Sequence, residues 1–223
     1  MIPLKDRNPT YRYPVVNIAI IVANIAIFLY EVSLGPRLES FFLRFGVVPL
    51  DISTSFNSSH VTVATFFPIF SSMFLHGGWL HLGGNMLFLW IFGDNVEDKL
   101  GHGRYFVFYV MCGIAAGLVH IVIDPSSAMP TVGASGAISG VLGAYLLMFP
   151  KARVVTLIPV FVFVHVAELP AFIVLGFWFV LQFFSGLVSL GYQTAGMGGV
   201  AWWAHVGGFV SGLILVLPMR KFQ

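Results

Sequence analysis

Six stretches of this chain stay apolar for about the length that crosses a bilayer: about 14–33, 79–96, 105–123, 132–150, 169–188 and 200–219. A membrane-spanning helix needs roughly 20 such residues. The second stretch is the least apolar of the six. Between the fourth and fifth lies 154-VVTLIPVFVFVHVA-167, which is interrupted by Pro159 and closed by Glu168-Leu169-Pro170. At about 14 residues, such a run lies in the interface or folds against a bundle rather than spanning. The polar-to-apolar connection of about 34–78 is long for a bundle. Its apolar pieces 41-FFLRFGVVPL-50 and 66-FFPIFSSMFL-75 predict segments at the bilayer surface, and a loop of that kind is often functional. The pattern predicts an all-α membrane protein, a single domain over 1–223 without repeats, built on six transmembrane helices.

Composition points the same way. Of the 223 residues 58% are hydrophobic and 9% charged, against about 25% charged in a soluble domain. The placement of charge tests the count of spans. Lys5, Arg7, Arg12, Lys99, Arg104, Lys151, Arg153, Arg220 and Lys221 fall on one side if six helices span and the N-terminus is cytoplasmic. Arg37 and Arg44 alone fall outside, which fits the excess of basic residues on the cytoplasmic side. Both termini are therefore expected in the cytoplasm, whereas a seventh span at 154–167 would put Arg220 and Lys221 outside. The net charge of +2 is small and its basic residues are scattered, which excludes a nucleic-acid partner of the usual basic kind. Cys112 is the single cysteine, so no intrachain disulfide forms. The start, MIPLKDRNPTYRYP, has no apolar core followed by a small-residue cleavage site, and the first apolar run is expected to be retained as a span.

Polar groups inside spans are costly, and each needs an account. On the six-span reading, Ser135 lies about one turn below the outer surface in the fourth span. His205 enters at similar depth in the sixth span. His81 and Asn85, four residues apart and so on one helix face, enter in the second. A serine, a histidine and a histidine–asparagine pair thus share one outer layer. That set suits acyl transfer: a serine hydroxyl becomes nucleophilic when a base removes its proton, and histidine is the usual base. Asn85, His81 and the backbone N–H of Ser135 are the available donors to an oxyanion. No carboxylate is expected at that depth, so the prediction is a Ser135–His205 dyad.

Other uses of the same residues compete with this one. A serine in a glycine-rich helix commonly bonds back to its own helix and permits close packing. Gly136-xxx-Gly140 and Gly208-xxx-Gly212 are small-xxx-small faces that would bring spans four and six together under either reading. His76, His81 and His205 could together offer ligands to a metal, but no Asp, Glu or Cys is expected at their depth, and a metal site is not the reading adopted. His120 and His165 are read as structural, and His60 and His102 as loop residues. Trp178, Phe179, Phe183 and Phe184 are read as lipid-facing or packing aromatics.

The segments 75-LHGGWLHLGGNMLFL-89, 133-GASGAISG-140 and 204-AHVGGFVSG-212 occur in an order and spacing that resemble the rhomboid intramembrane serine proteases. The resemblance runs over essentially the whole chain. It implies a six-helix bundle that cleaves transmembrane segments of other membrane proteins, with lipid around it and no cofactor. It makes Ser135 the nucleophile, His205 the base, and His81 and Asn85 the oxyanion-stabilising positions. Gly133, Gly136, Gly140, Gly208 and Gly212 take structural, helix-packing roles, and His76 matches a structural histidine. It further implies a mobile fifth span, 169–188, and a cap at 189-LGYQTAGMGGVAWW-203. The expected location is a prokaryotic plasma membrane. Two departures stand out. The Trp-Arg pair many members carry in the first outer loop is absent, and Ser139 occupies a position where some bacterial members place an aromatic residue against the histidine. A catalytically silent rhomboid-like client binder and a transporter are the rival functions. Intact Ser135 and His205 argue against the first. The second would favour polar residues continuing to the inner face and repeated halves, and neither is seen.

Overall fold

Strand β1 (Ile2–Asp6) leads into helix α1 (Val15–Ser33) in the computed structural model, which describes residues 1–58, 61–160, 163–191 and 200–220. Three short helices follow: α2 (Leu38–Phe45), α3 (Pro49–Asn57) and α4 (Val63–Ser71), the last continued by a 3₁₀ turn at Ser72–Phe74. The long helices α5 (Trp79–Leu100) and α6 (His102–Ile123) precede the shorter α7 (Ser135–Met148). A hairpin of β2 (Arg153–Val160) and β3 (Phe163–Pro170) then leads to α8 (Ala171–Gly191) and α9 (Trp202–Met219). The protein is an integral, multi-pass membrane protein and mostly helical.

Helices α1, α6, α8 and α9 are each long and apolar enough to cross a membrane. Helix α5 meets that standard only together with the α4 segment, from which it is bent by 81°. Its His81 and Asn85 at one end, and Asp94, Glu97 and Asp98 at the other, account for its lower apolarity. Helix α7 is apolar but has 14 residues. The described residues therefore hold four candidate spans, or five with the bent pair.

Helix α7 sits at the centre, buried continuously from Gly136 to Tyr145. Its tightest neighbour is α9, and small residues are the reason. A side-chain carbon on Gly208 would collide with the carbonyl of Gly136, and one on Gly212 with the backbone of Gly140. On the α6 side, Gly136 seats against Ala116 and Gly140 against Cys112. At all four glycines a side-chain carbon would overlap a neighbouring helix. Gly133 differs, because it lies ahead of α7.

Polar groups buried at the far end are paired. The Glu97 carboxylate accepts the N–H groups of Val16 at 3.0 Å and Asn17 at 2.7 Å, satisfying open donors at the start of α1. Asn17 donates to the Leu89 carbonyl at 3.0 Å and accepts from Tyr105 at 2.7 Å.

The all-α expectation needs one correction, a three-stranded antiparallel sheet in the order β1-β2-β3. Val154 pairs with Leu169 and Ile158 with His165, while β1 pairs Ile2 with Leu157 and Asp6 with Val154. Val, Thr and Ile fill five of the eight positions of β2, and Val two of the eight in β3; β-branched residues suit a pleated, half-buried surface. The hairpin returns the chain to its starting end: Ala171 N–H donates to the Ala152 carbonyl at 2.8 Å, and Phe172 N–H to that of Pro150 at 3.0 Å. The described residues of 154–167 thus lie in paired strands rather than in a helix long enough to span.

The connection at 34–78 contains helices α2 to α4, and Val47, Ile52 and Ile69 form a small core with Ile121 of α6. Val47 also exchanges backbone hydrogen bonds with Thr131, at 2.9 and 2.7 Å, which ties this region to the segment entering α7.

Candidate active site

The approach to α7 is fixed residue by residue. Thr131 is held by Val47 and by the His120 ring, whose Nε2 lies 2.9 Å from its hydroxyl. Gly133 N–H donates to the Ser72 carbonyl at 2.9 Å. The backbone at Gly133 has φ of +139°, a conformation open to glycine and strained for other residues. A side-chain carbon there would lie 2.8 Å from His81 Nε2 and 3.4 Å from Ser135 Oγ. One glycine therefore separates the His81 ring from the Ser135 hydroxyl. Ser135 opens α7, where the free N–H groups and dipole of the helix favour negative charge.

Helix α9 brings His205 to this point, with Nε2 2.8 Å from Ser135 Oγ. Nδ1 of the same ring lies 2.7 Å from Oε1 of Gln182 on α8. Trp178, one turn before Gln182, lies over the ring at 6.0 Å between centroids and 33° between planes. Trp202 meets it edge-on at 6.2 Å and 87°. Glycine packing between α7 and α9 is what lets two backbones come close enough for a serine and a histidine to touch.

Helix α5 contributes the other side. Gly77 N–H donates to His81 Nδ1 at 3.3 Å. A neutral imidazole that accepts at Nδ1 carries its proton on Nε2, the nitrogen facing Gly133. His81 thus presents an N–H beside the Ser135 hydroxyl. Asn85, 8% exposed, has its side-chain amide nitrogen buried without a hydrogen-bond partner among the described residues. A buried donor left open is costly unless something arrives to accept it.

Ser139 shows by contrast what a packing serine does. Its hydroxyl donates back to the Ser135 carbonyl at 2.6 Å, one turn away on the same helix. The Ser135 hydroxyl instead reaches across to another helix.

Of the remaining histidines, His76 is buried against His81 at 5.1 Å, and its backbone N–H donates to the Glu31 carboxylate at 3.2 Å. His120 bonds Thr131, His102 bonds Glu97, and His165 is exposed on β3. His60 and most of the expected cap, 192–199, lie outside the described residues. Among the described residues no three His, Cys, Asp or Glu side chains gather at one point. The 34–78 connection, which lacks a Trp-Arg pair, is tied down by the Val47–Thr131 exchange and by Ser71, whose hydroxyl donates to the Phe45 carbonyl at 2.7 Å.

Sequence reasoning missed Gln182. Its signal was available: an amide in the middle of an apolar helix requires a partner. Trp178, read as a packing aromatic, does pack, but onto His205 and, at 6.1 Å, onto Phe209.

A family model for the Rhomboid domain matches residues 63–222. Rhomboid protein 1, mitochondrial, of Saccharomyces cerevisiae is 30% identical over 205 residues, which is 88% of this chain and 51% of that protein. Rhomboid-like protein 11, chloroplastic, of Arabidopsis thaliana is 31% identical over 157 residues, 68% of this chain and 52% of that one. Rhomboid protease GluP of Bacillus subtilis is 30% identical over 142 residues, 64% of this chain and 25% of that one. The chain thus spans about half the length of the first two relatives and a smaller share of the third.

Proposed function

This chain belongs to the rhomboid family, and from that premise we propose that it is an intramembrane serine endopeptidase. It hydrolyses peptide bonds in or near transmembrane segments of other membrane proteins. The observation that carries this reading is the 2.8 Å approach of His205 Nε2 to Ser135 Oγ across two helices.

The chemistry follows from that pair. Ser135 Oγ attacks the scissile carbonyl carbon as His205 Nε2 takes its proton. The carbonyl oxygen becomes an oxyanion, which the Nε2–H of His81, the amide of Asn85 and the backbone N–H of Ser135 are arranged to stabilise. Each such donor is typically worth about 10²–10³ in rate. His205 then returns its proton to the leaving amine, and water hydrolyses the acyl-enzyme by the same exchange in reverse. Among the described residues no carboxylate bonds His205, and no cofactor is called for.

Water has to reach this depth. The 14 residues of α7 extend about 21 Å at 1.5 Å each, short of the roughly 30 Å of hydrocarbon. Counted as a span, α7 starts below the surface, and non-helical backbone such as 131–134 is tolerated at depth where it is buried in protein or lines an aqueous cavity. The topology proposed is six spans, α1, α5, α6, α7, α8 and α9, with both termini cytoplasmic. The basic residues on one side and the hairpin that returns to its starting end support it. A prokaryotic plasma membrane is the proposed location, alongside relatives named as mitochondrial and chloroplastic.

The test is incubation of purified, detergent- or liposome-embedded protein with a panel of single-span substrates, beside Ser135→Ala. Cleavage by the wild type and none by the variant is expected, with fluorophosphonate labelling of Ser135 and no effect of chelators. Equal cleavage by both proteins would overturn the reading.

A further inference from the structure

We infer that Gln182 is the positioning residue for His205: its side-chain carbonyl holds the proton on Nδ1 and thereby leaves the Nε2 lone pair facing Ser135. The inference rests on the reading of Ser135 and His205 as nucleophile and base. A neutral imidazole has one N–H and one lone pair, and a general base needs the lone pair on the nitrogen that faces the serine. The partner at the other nitrogen decides which is which. Here that partner is Oε1 of Gln182 at 2.7 Å. A carbonyl oxygen only accepts, so it selects the Nδ1–H form. The reversed amide, donating to Nδ1, would put the proton on Nε2 and disarm the base.

The setting strengthens the selection. Gln182 is 8% exposed, and a mismatch at a buried hydrogen-bonded pair leaves two groups unsatisfied. Once Nε2 takes the serine proton, both ring nitrogens are donors, and the Gln182 carbonyl still accepts from Nδ1. The bond therefore persists through the proton transfer. Trp178 and Gln182, four residues apart and on one face of α8, act on different parts of the ring. Trp178 leans on its face and Gln182 bonds in its plane. Helix α8 thus orients a base that α9 carries, in the place where many serine hydrolases use a carboxylate.

Two variants test this, Gln182→Leu and Gln182→Glu, each confirmed as folded by its melting temperature. The rate of fluorophosphonate labelling at Ser135 and the kcat and KM for a cleaved substrate are measured. Nitrogen-15 histidine spectra, with His205 assigned by its absence in His205→Ala, report the tautomer. In the wild type His205 is expected to carry its proton on Nδ1. Gln182→Leu should lose that preference and cut kcat and labelling by about tenfold or more, because a wrong tautomer disables a serine hydrolase's base. Its KM should stay within about twofold. Gln182→Glu, which keeps an acceptor, should recover most of the rate. Equal tautomer populations and rates in wild type and Gln182→Leu, or equal losses in Leu and Glu, would reduce Gln182 to packing. If the wild type neither labels nor cleaves, the protease reading falls, and the tautomer spectra alone then decide for or against Gln182.

Discussion

Helix α9 holds α7 backbone to backbone, while α8 meets the same site only through side chains. Along the first contact Gly208 and Gly212 leave no room for a single added carbon against the backbone of Gly136 and Gly140. Along the second, Phe179 stacks on Phe209 at 4.6 Å, Trp178 leans on His205, and the outer face of α8 is open, with Phe184 59% exposed. The difference separates two tasks. The glycine seam fixes how far Ser135 is from His205, since two packed backbones have little freedom to separate. The side chains of α8 set how the imidazole is turned. A tight seam provides distance, and a looser helix provides orientation.

The sharpest way to break this division is to remove the groups it serves. Ser135→Ala and His205→Ala should each drop substrate cleavage to background while the melting temperature stays near wild type. Next is the seam itself. Gly208→Val or Gly212→Val should lower the melting temperature and activity together, because overpacking a close helix contact costs typically about 1–3 kcal/mol and sometimes more. Phe184→Ala, on the open face of α8, should change stability by less than about 0.5 kcal/mol. If the seam variants melt like the wild type, the glycines are not what sets the distance.

A smaller effect is expected on the α5 side. Asn85→Ala should lower kcat by about 10²-fold with KM nearly unchanged, because its amide acts once the oxyanion exists. A rate within twofold of wild type would make it a packing residue.

The smallest effect belongs to the far end of α7, where Tyr145 donates to the Asp6 carboxylate at 2.6 Å. Burial pushes the Asp6 carboxyl up from 3.8 to about 6, with the Tyr145 hydrogen bond opposing and Asp94 adding to the rise. The folded state therefore favours protonated Asp6. Its contribution to stability is full below about pH 4 and is lost as pH rises to about 6. Melting temperature should decline over that window, and Asp6→Asn should flatten the decline while leaving cleavage at neutral pH intact.

Much of this was readable beforehand, for identifiable reasons. The apolar runs that became α1, α6, α8 and α9 needed only length and composition. Ser135, His205 and His81 stood out because each is a polar group at a depth where polar groups need a partner, and the structure brings the three together. The hairpin was harder. Val155 and Leu157, on the less buried side of β2, are apolar too, so the alternation that marks a strand was masked. Gln182 is hard to read in the sequence because the usual orienting group for a catalytic histidine is a carboxylate, whereas an amide carbonyl accepts the same proton. Helix α7 begins at Ser135 rather than 132 because Gly133 at φ +139° cannot continue a helix.

The pairing of β1 with β2 also sets an order of events at the ribosome. Residues 2–6 emerge well before the strand they pair with, which begins at Arg153. At roughly 5–20 residues per second, the first strand waits about 7–30 s for its neighbour. During that time several helices have to enter the bilayer. The sheet therefore acts as a closing latch on the assembly line, and an unpaired first strand marks a chain whose manufacture is unfinished. Protease protection of residues 2–6 in arrested nascent chains would time that closure.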